Sequence, residues 1–542
     1  MGNLIQKIIC YIESVPLNFK SWIGGFTAII AVRLFVEALI LGFPKRDLED
    51  FLVLFLHTFL FFLLVYLVFV FLLTFFLKEN IKKTSSVLLW GFWVIILPPL
   101  IDWAAFIAQG KEFKSFYIFD GAGGLVERFF LFFGEGLHWG ITLGTRVEIL
   151  LVLFLLFIYV YHKKASFKSS AGFVLLSYFI FYLFGVFPSL VVLLMSLLKG
   201  EGIWLVQDFN VASVFMSPFE FFGIKGEVWK AFLPRKLALF YTLLIFLTLF
   251  VYFYLSQKTK FKALLKNIRF PQMFFNGGLL FIGLGLGWFY YPERFGWDIF
   301  HFVGILNLIL MVFCAWFFSV FINDIFDAEI DKISNPDRPL VSGIVKKREY
   351  MDYGLVFLFL SLIIALLFSP VIFLLIVFYH LLTWIYSAYP FRLKKFFGVA
   401  NLISATASLL FLGIGFLVFS GGDLFSGISW EVIGFLGLAY FFVLSIKDLR
   451  DVEGDRREKI YTLPVLIGLR NAKLALASLI LFFYLFSVYV FNENKLFPWA
   501  VLFGSVSFFV VAKKEIKVSW LYGWLFAGVL CYGLIGVWIM FT

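Results

Sequence analysis

Residues 299–343 read IFHFVGILNLILMVFCAWFFSVFINDIFDAEIDKISNPDRPLVSG. The first part, Ile299 to Ile322, is apolar and long enough to cross a bilayer as a helix. Asn323, Asp324, Asp327 and Asp331 follow at spacings of one, three and four. With about 3.6 residues per turn, these side chains share one helix face. Three carboxylates on one face repel each other unless something cationic sits among them. Hard divalent cations, Mg²⁺ above all, take oxygen ligands of this kind and share them with phosphate. An acidic cluster where a membrane helix emerges is therefore a candidate metal–diphosphate site.

A second stretch matches it. Residues 447–468 read KDLRDVEGDRREKIYTLPVLIG and follow the apolar run from Glu431 to Ile446. Asp448, Asp451 and Asp455 are three and four apart, so they too share a face. A single acidic run is ordinarily a solvated helix end. Two of them, each ending a membrane segment and each mixed with Arg and Lys, point to a site.

The whole chain is 62% hydrophobic and 15% charged, with a mean hydropathy of +0.99. That excludes an ordinary soluble protein and implies an all-α, polytopic membrane protein. The 79 Phe need no special role, because Phe is a good apolar filler in lipid. The net charge of +11 is spread over short loops rather than gathered in a basic domain, which speaks against nucleic-acid binding. Cys10, Cys314 and Cys531 lie too far apart in sequence to suggest a disulfide framework or a zinc site. The N-terminal residues carry no cleavage pattern of a signal peptide.

The two acidic stretches resemble the motifs of the UbiA family of intramembrane prenyltransferases. The first matches NDxxDxxxD and its RPLxSG tail, with Arg338, Pro339, Leu340, Ser342 and Gly343 in place. The second matches DxEGD and the TLP after it, through Asp451, Glu453, Gly454, Asp455, Thr462, Leu463 and Pro464. Between them, YSAYPFRLKKFFGVAN resembles the family's middle signature at Tyr386, Ser387, Pro390, Arg392, Lys394, Gly398 and Asn401. The resemblance covers about residues 265–542 and leaves the first half unassigned.

In that first half, apolar runs at about 22–43, 51–77, 86–109, 137–161, 171–198 and 237–256 predict about six membrane helices. The stretch 200–236 is aromatic and is expected in the membrane interface. Arg33, Glu37, His57, Asp102, Arg146 and Glu148 fall at membrane depth, where charge is costly. Pairing across helices is the expected use of them. Pro98-Pro99 should break the third run. Residues 257–271, QKTKFKALLKNIRFP, read as a basic cytoplasmic linker between a membrane domain at 1–256 and a second at 272–542.

Nine apolar segments follow, at about 274–292, 299–322, 351–369, 370–390, 398–419, 431–446, 472–492, 498–512 and 518–541. The family fold that the resemblance implies is also a nine-helix bundle. Lys and Arg concentrate in the loops holding the acidic motifs, with only Arg294 and Lys495 in the alternate loops. The positive-inside rule then puts both motifs on the cytoplasmic face of the cell membrane. Both motif helices would present their partly negative C-terminal ends to the site, adding to its attraction for cations.

The resemblance implies Mg²⁺ as cofactor and an isoprenyl diphosphate as substrate. It assigns metal binding to Asn323, Asp324, Asp327, Asp331, Asp448, Asp451 and Asp455. Asn323, Arg338, Arg392 and Lys394 are expected on the diphosphate. Tyr386, with Phe326 nearby, offers a π face to an allylic cation. The spacing of the two motifs looks most like family members that make digeranylgeranylglyceryl phosphate, with geranylgeranylglyceryl phosphate as the lipid acceptor. An aromatic acceptor, as in quinone-precursor prenyltransferases, is the alternative within the family. A non-catalytic lipid-binding or transport protein is the alternative outside it.

Overall fold

The computed structural model describes the chain except for residues 1, 16, 42–47, 218–231, 295, 297, 397, 421–428, 450–451, 458–460, 514–517 and 542. Thirteen helices are long and apolar enough to cross a membrane. Besides helices, the described residues include two two-residue strands, Lys114–Ser115 and Trp139–Gly140, paired in parallel. The protein is thus an all-α, multi-pass membrane protein. The described residues up to Lys258 form one compact unit, and those from Thr259 form a second.

The first unit contains α1 (Gly2–Ser14), α2 (Phe19–Leu41), α3 (Leu48–Leu77), α4 (Ile81–Gly91), α5 (Leu97–Gln109) and α6 (Ala122–Phe130). It continues with α7 (Leu143–Lys164), α8 (Phe167–Gly185), α9 (Phe187–Leu198), α10 (Asp208–Met216) and α11 (Phe232–Ser256). α3 packs on α11, and α7 packs on both α5 and α8. Three sequence-predicted spans are subdivided or trimmed for local reasons. The run at 86–109 becomes α4, a 3₁₀ stretch at Phe92–Ile96, and α5, whose first turn holds the prolines. Proline is tolerated there because the first-turn N–H groups have no intrahelical partner. The run at 171–198 breaks between α8 and α9, again with a proline in the first turn of the new helix. The run at 137–161 becomes helical only from Leu143, after Thr142 takes the N-cap. Asp102 holds this start in place, accepting from the Thr142 hydroxyl at 2.6 Å and the Gly144 N–H at 2.7 Å.

The second unit contains α12 (Lys258–Lys266), α13 (Phe270–Tyr290), α14 (Ile299–Phe326), α15 (Ala328–Ser334), α16 (Lys347–Phe368), α17 (Pro370–Ser387) and α18 (Val399–Ser420). After these come α19 (Trp430–Val443), α20 (Val452–Arg457), α21 (Leu463–Ile467), α22 (Leu469–Val490), α23 (Phe497–Ala512) and α24 (Val518–Phe541). Seven of the thirteen spans lie here, and the shorter apolar helices Trp430–Ile446 and Gly523–Gly536 bring the apolar helices among the described residues to nine. In lipid, helices associate through close packing of small residues. α13 and α18 show this directly. A Cβ on Gly283 would stand 2.0 Å from the Leu412 carbonyl oxygen, and one on Gly415 would stand 2.4 Å from that of Leu280. α14 packs along α16, where Phe321 and Ile325 meet Val345 and Tyr350 in a buried cluster. That packing fixes the end of α14, where the first acidic motif begins.

Candidate functional site

Asn323 and Asp324 occupy the last turn of α14, Asp327 is its C-cap, and Asp331 lies in α15. All three carboxylates are buried. Each is held by cations rather than by a shared centre. Asp324 is 1% exposed. Its Oδ1 accepts from Arg269 at 2.6 Å and Arg338 at 3.0 Å. Its Oδ2 accepts from Asn267 and the Tyr350 hydroxyl, both at 2.8 Å. Asp331 accepts from the same Arg338 nitrogen and from Asn335 at 3.1 Å. Burial pushes the Asp331 carboxyl above its ordinary range; Arg338 opposes this, and the neighbouring Asp324 and Asp327 charges add to it.

Asp327 is gripped by the middle signature. Lys394 donates to both its oxygens, and Arg392 donates to Oδ1 at 3.1 Å. Asn323 accepts from Lys394 and from Ser387, each at 3.4 Å. Arg392 has a left-handed backbone at φ 43°, a conformation that costs energy in a non-glycine residue and persists where the surroundings fix it. Here it is fixed by Asp327 and by Tyr389, whose hydroxyl accepts from Arg392 at 2.7 Å. The Nε of Arg392 is buried with no hydrogen-bond partner among the described residues.

Four cations, Arg269, Arg338, Arg392 and Lys394, thus surround three carboxylates, Asp324, Asp327 and Asp331. The cluster carries one positive charge in excess and one unsatisfied buried donor. Both features suit an anion with several oxygens. Beside it, Phe326 packs edge-on against Trp384 at 5.8 Å and Tyr389 at 6.2 Å between ring centroids. Tyr386 is half-buried in the last turn of α17, next to Ser387.

The second motif lies close by. α20 packs against α15, and Asn401 is bonded to Ser445 at 2.5 Å, just before the motif. Asp448 is buried in a 3₁₀ stretch at Leu444–Leu449. Asp455 belongs to α20, but its side chain, like the whole of Asp451, lies outside the described residues.

Among the described residues no three His, Cys, Asp or Glu side chains gather as a metal-ligand set. The donor chemistry nevertheless fits a hard divalent ion for part of the predicted set. Asn323, Asp327 and Asp331 offer oxygen only. Asp324 fits less well, since all its acceptor positions are already engaged. Sequence reasoning did not single out Asn267, Arg269 or Tyr350. Asn267 and Arg269 sit in the stretch read as a linker, where a basic residue looks like a topology signal. Tyr350 looks like an ordinary interfacial tyrosine. Only the packing of α16 on α14 brings it to Asp324.

Comparison with known proteins gives consistent results. The profile of the UbiA prenyltransferase family matches residues 278–520. A digeranylgeranylglyceryl phosphate synthase of Pyrococcus horikoshii is 34% identical over 158 residues, 28% of this chain and 52% of that one. One of Sulfurisphaera tokodaii is 31% identical over 199 residues, 35% of this chain and 68% of that one. The chain spans about half the length of several of the curated relatives it matches. A UbiA homologue from Archaeoglobus fulgidus, solved with GPP and Mg²⁺, is 20% identical with a TM-score of 0.39, covering 49% of this chain and 96% of that one.

Proposed function

The chain belongs to the UbiA prenyltransferase family, and we propose that its second unit moves a prenyl group from an isoprenyl diphosphate to an acceptor, with Mg²⁺ as cofactor. The observation that carries this reading is the cluster of four cations around three buried carboxylates, with an aromatic wall beside it. Asn323, Asp327 and Asp331 would hold the metal, joined by Asp448, Asp451 and Asp455 of the second motif. A bound divalent ion would neutralise charge developing on the leaving diphosphate.

The chain's own residues do the rest. Arg392 and Lys394 bind diphosphate oxygens, and the unsatisfied Nε of Arg392 takes one of them. Arg338 lies between Asp324 and Asp331 and serves the same anion. Arg269, Asn267 and Tyr350 fix Asp324, which in turn fixes Arg338. Asp324 is therefore assigned a positioning role ahead of a ligating one. Phe326, Trp384, Tyr386 and Tyr389 exclude water and present π faces to the allylic cation.

The acceptor is proposed to be a lipid, geranylgeranylglyceryl phosphate. The resemblance of the motif spacing supports this, as do the names of the relatives from Pyrococcus and Sulfurisphaera. We read the site as facing the cytoplasm, a reading the basic loops around it support. We read Asn267 and Arg269, from the stretch expected to be a linker, as part of the catalytic unit, because both bond to Asp324. The preceding membrane domain, up to about 256, is read as a separate module.

The test is prenyl transfer by the purified chain with Mg²⁺, labelled geranylgeranyl diphosphate and separate acceptors. Geranylgeranylglyceryl phosphate should be alkylated. Product formed only with 4-hydroxybenzoate, dihydroxynaphthoate or homogentisate would move the assignment to an aromatic acceptor. The absence of both diphosphate binding and product would overturn the enzymatic reading.

A further inference from the structure

Two basic segments of the second unit share one surface beside the acidic cluster. The first is α12, KTKFKALLK, which is nine residues long and holds no acidic side chain. It stands in the chain between two membrane spans, Phe232–Ser256 and Gln272–Tyr290. At about 1.5 Å per residue it reaches about 13 Å, too short to cross a bilayer. Its place is therefore the boundary where those spans end. The second segment, Lys346, Lys347 and Arg348, opens α16, whose span begins at Lys347.

The structure joins the two. Lys260 of α12 donates to the Glu349 carboxylate of α16 at 2.6 Å. Phe261 is buried, and Leu264, one turn on, packs against the cluster of Phe321, Ile325, Val345 and Tyr350. Just past α12, Asn267 donates to the Tyr350 hydroxyl at 3.1 Å and to Asp324 at 2.8 Å. These contacts fix one face of α12 against the end of α14 and the start of α16, and they leave another face outward. Lys262, Leu265 and Lys266 are exposed on it, at helical spacings of three and four. Ile344, Lys346, Lys347 and Arg348 are exposed as well. Among the described residues none of Lys262, Lys266, Lys347 and Arg348 makes an ion pair. The acidic groups on these two helices are Glu349, taken by Lys260, and Asp352, whose Oδ1 is buried.

This make-up fits a partner that is always present at a membrane boundary, the anionic headgroup of a phospholipid. Lysines are flexible point charges, suited to an array of mobile phosphates rather than to one fixed anion. Leu265 and Ile344 stand among them as apolar side chains that the acyl boundary accepts, whereas a soluble polyanion would leave them in water. Basic segments next to membrane helices are drawn to anionic lipid within about a Debye length. We infer that α12 and the start of α16 together form a binding surface for anionic phospholipid headgroups. None of these surface residues is assigned to the diphosphate or the metal, so the surface stands apart from prenyl transfer.

The test uses the full chain in phosphatidylcholine vesicles carrying a trace of phosphatidylglycerol with a photoactivatable group near its headgroup. Peptide mass spectrometry maps the adducts after illumination. Adducts should fall within residues 259–269 and 344–350. Unlabelled phosphatidylglycerol should compete them away, further phosphatidylcholine should not, and high salt should weaken capture. Lys262→Gln with Lys266→Gln should lower capture about 5-fold for each lysine removed, while Lys262→Arg with Lys266→Arg should keep it near that of the parent. If the glutamine variant does not fold, Lys347→Gln with Arg348→Gln reads the same loss from the other segment. Three results would overturn the inference. One is absence of adducts from both segments while the protein keeps its elution profile. Another is equal capture by the parent and a folded glutamine variant. The third is displacement by inorganic phosphate as readily as by phosphatidylglycerol, which would make the partner a soluble anion.

Discussion

The pairing at Asp327 predicts that metal and diphosphate bind cooperatively. Asp327 is the shared carboxylate partner of Arg392 and Lys394, and the three side chains are only 12%, 7% and 9% exposed. A divalent ion that takes Asp327 strips both cations of their counter-charge. A diphosphate that takes the cations strips Asp327. Removing one partner of a buried pair costs about 3–5 kcal/mol. Each ligand alone meets that cost, whereas the two together exchange partners and avoid most of it. If roughly half to two-thirds is recovered, the coupling is about 2–3 kcal/mol, or roughly 30- to 150-fold in affinity. The assay is calorimetric titration of the purified chain with Mg²⁺, with and without a non-reactive geranylgeranyl thiodiphosphate. Mg²⁺ also binds diphosphate in water, so the deciding quantity is the difference between the parent and Lys394→Met. The variant should lose most of the excess coupling. Equal coupling in both proteins would refute the exchange of partners.

Four further outcomes are expected. Asp327→Asn should abolish prenyl transfer and lower stability by about 3–5 kcal/mol, since it leaves Arg392 and Lys394 buried without this carboxylate. Asp324→Asn should lower stability by a smaller amount, about 1–3 kcal/mol, because Arg338 keeps Asp331 and Arg269 is partly exposed; unfolding in detergent measured beside transfer activity checks both. The hydrogen bond from Lys163 holds the Glu79 carboxyl below its ordinary value of 4.5. A carboxylate depressed in this way stabilises the fold above that value, and the contribution is lost as pH falls through the depressed one. Thermal unfolding followed from neutral pH into the acid range should show that loss, and Glu79→Gln should flatten the acid limb. Gly283→Ala should cost about 1–3 kcal/mol or more, since its Cβ would stand 2.0 Å from the Leu412 carbonyl and force α13 off α18. A melting temperature unchanged by this substitution would mean the two helices are not packed at that point.

Much of this protein was legible in the sequence because lipid leaves few choices. A backbone that cannot bond to water must be helical, so runs of apolar residues report the membrane helices directly. The acidic motifs were legible because two of them, each mixed with Arg and Lys, end apolar runs. Their spacing also carries a family resemblance. Periodicity did not show where a run would break. The breaks at Phe92–Ile96 and between α8 and α9 depend on local 3₁₀ geometry and on proline at the start of the next helix.

The pairing of charges was decided by the tertiary structure alone. The sequence placed Asp324, Asp327 and Asp331 on one face. In the structure, Asp324 is locked by Arg269 and Arg338 while Asp327 is held by Lys394 and Arg392, so the two carboxylates have different partners. These contacts join residues between 14 and 67 positions apart. Likewise, Asp102 and Glu148 look alike as membrane carboxylates, yet one caps a helix and the other has no hydrogen bond among the described residues. A sequence shows that a buried charge needs a partner. Which partner it finds depends on which helices pack side by side.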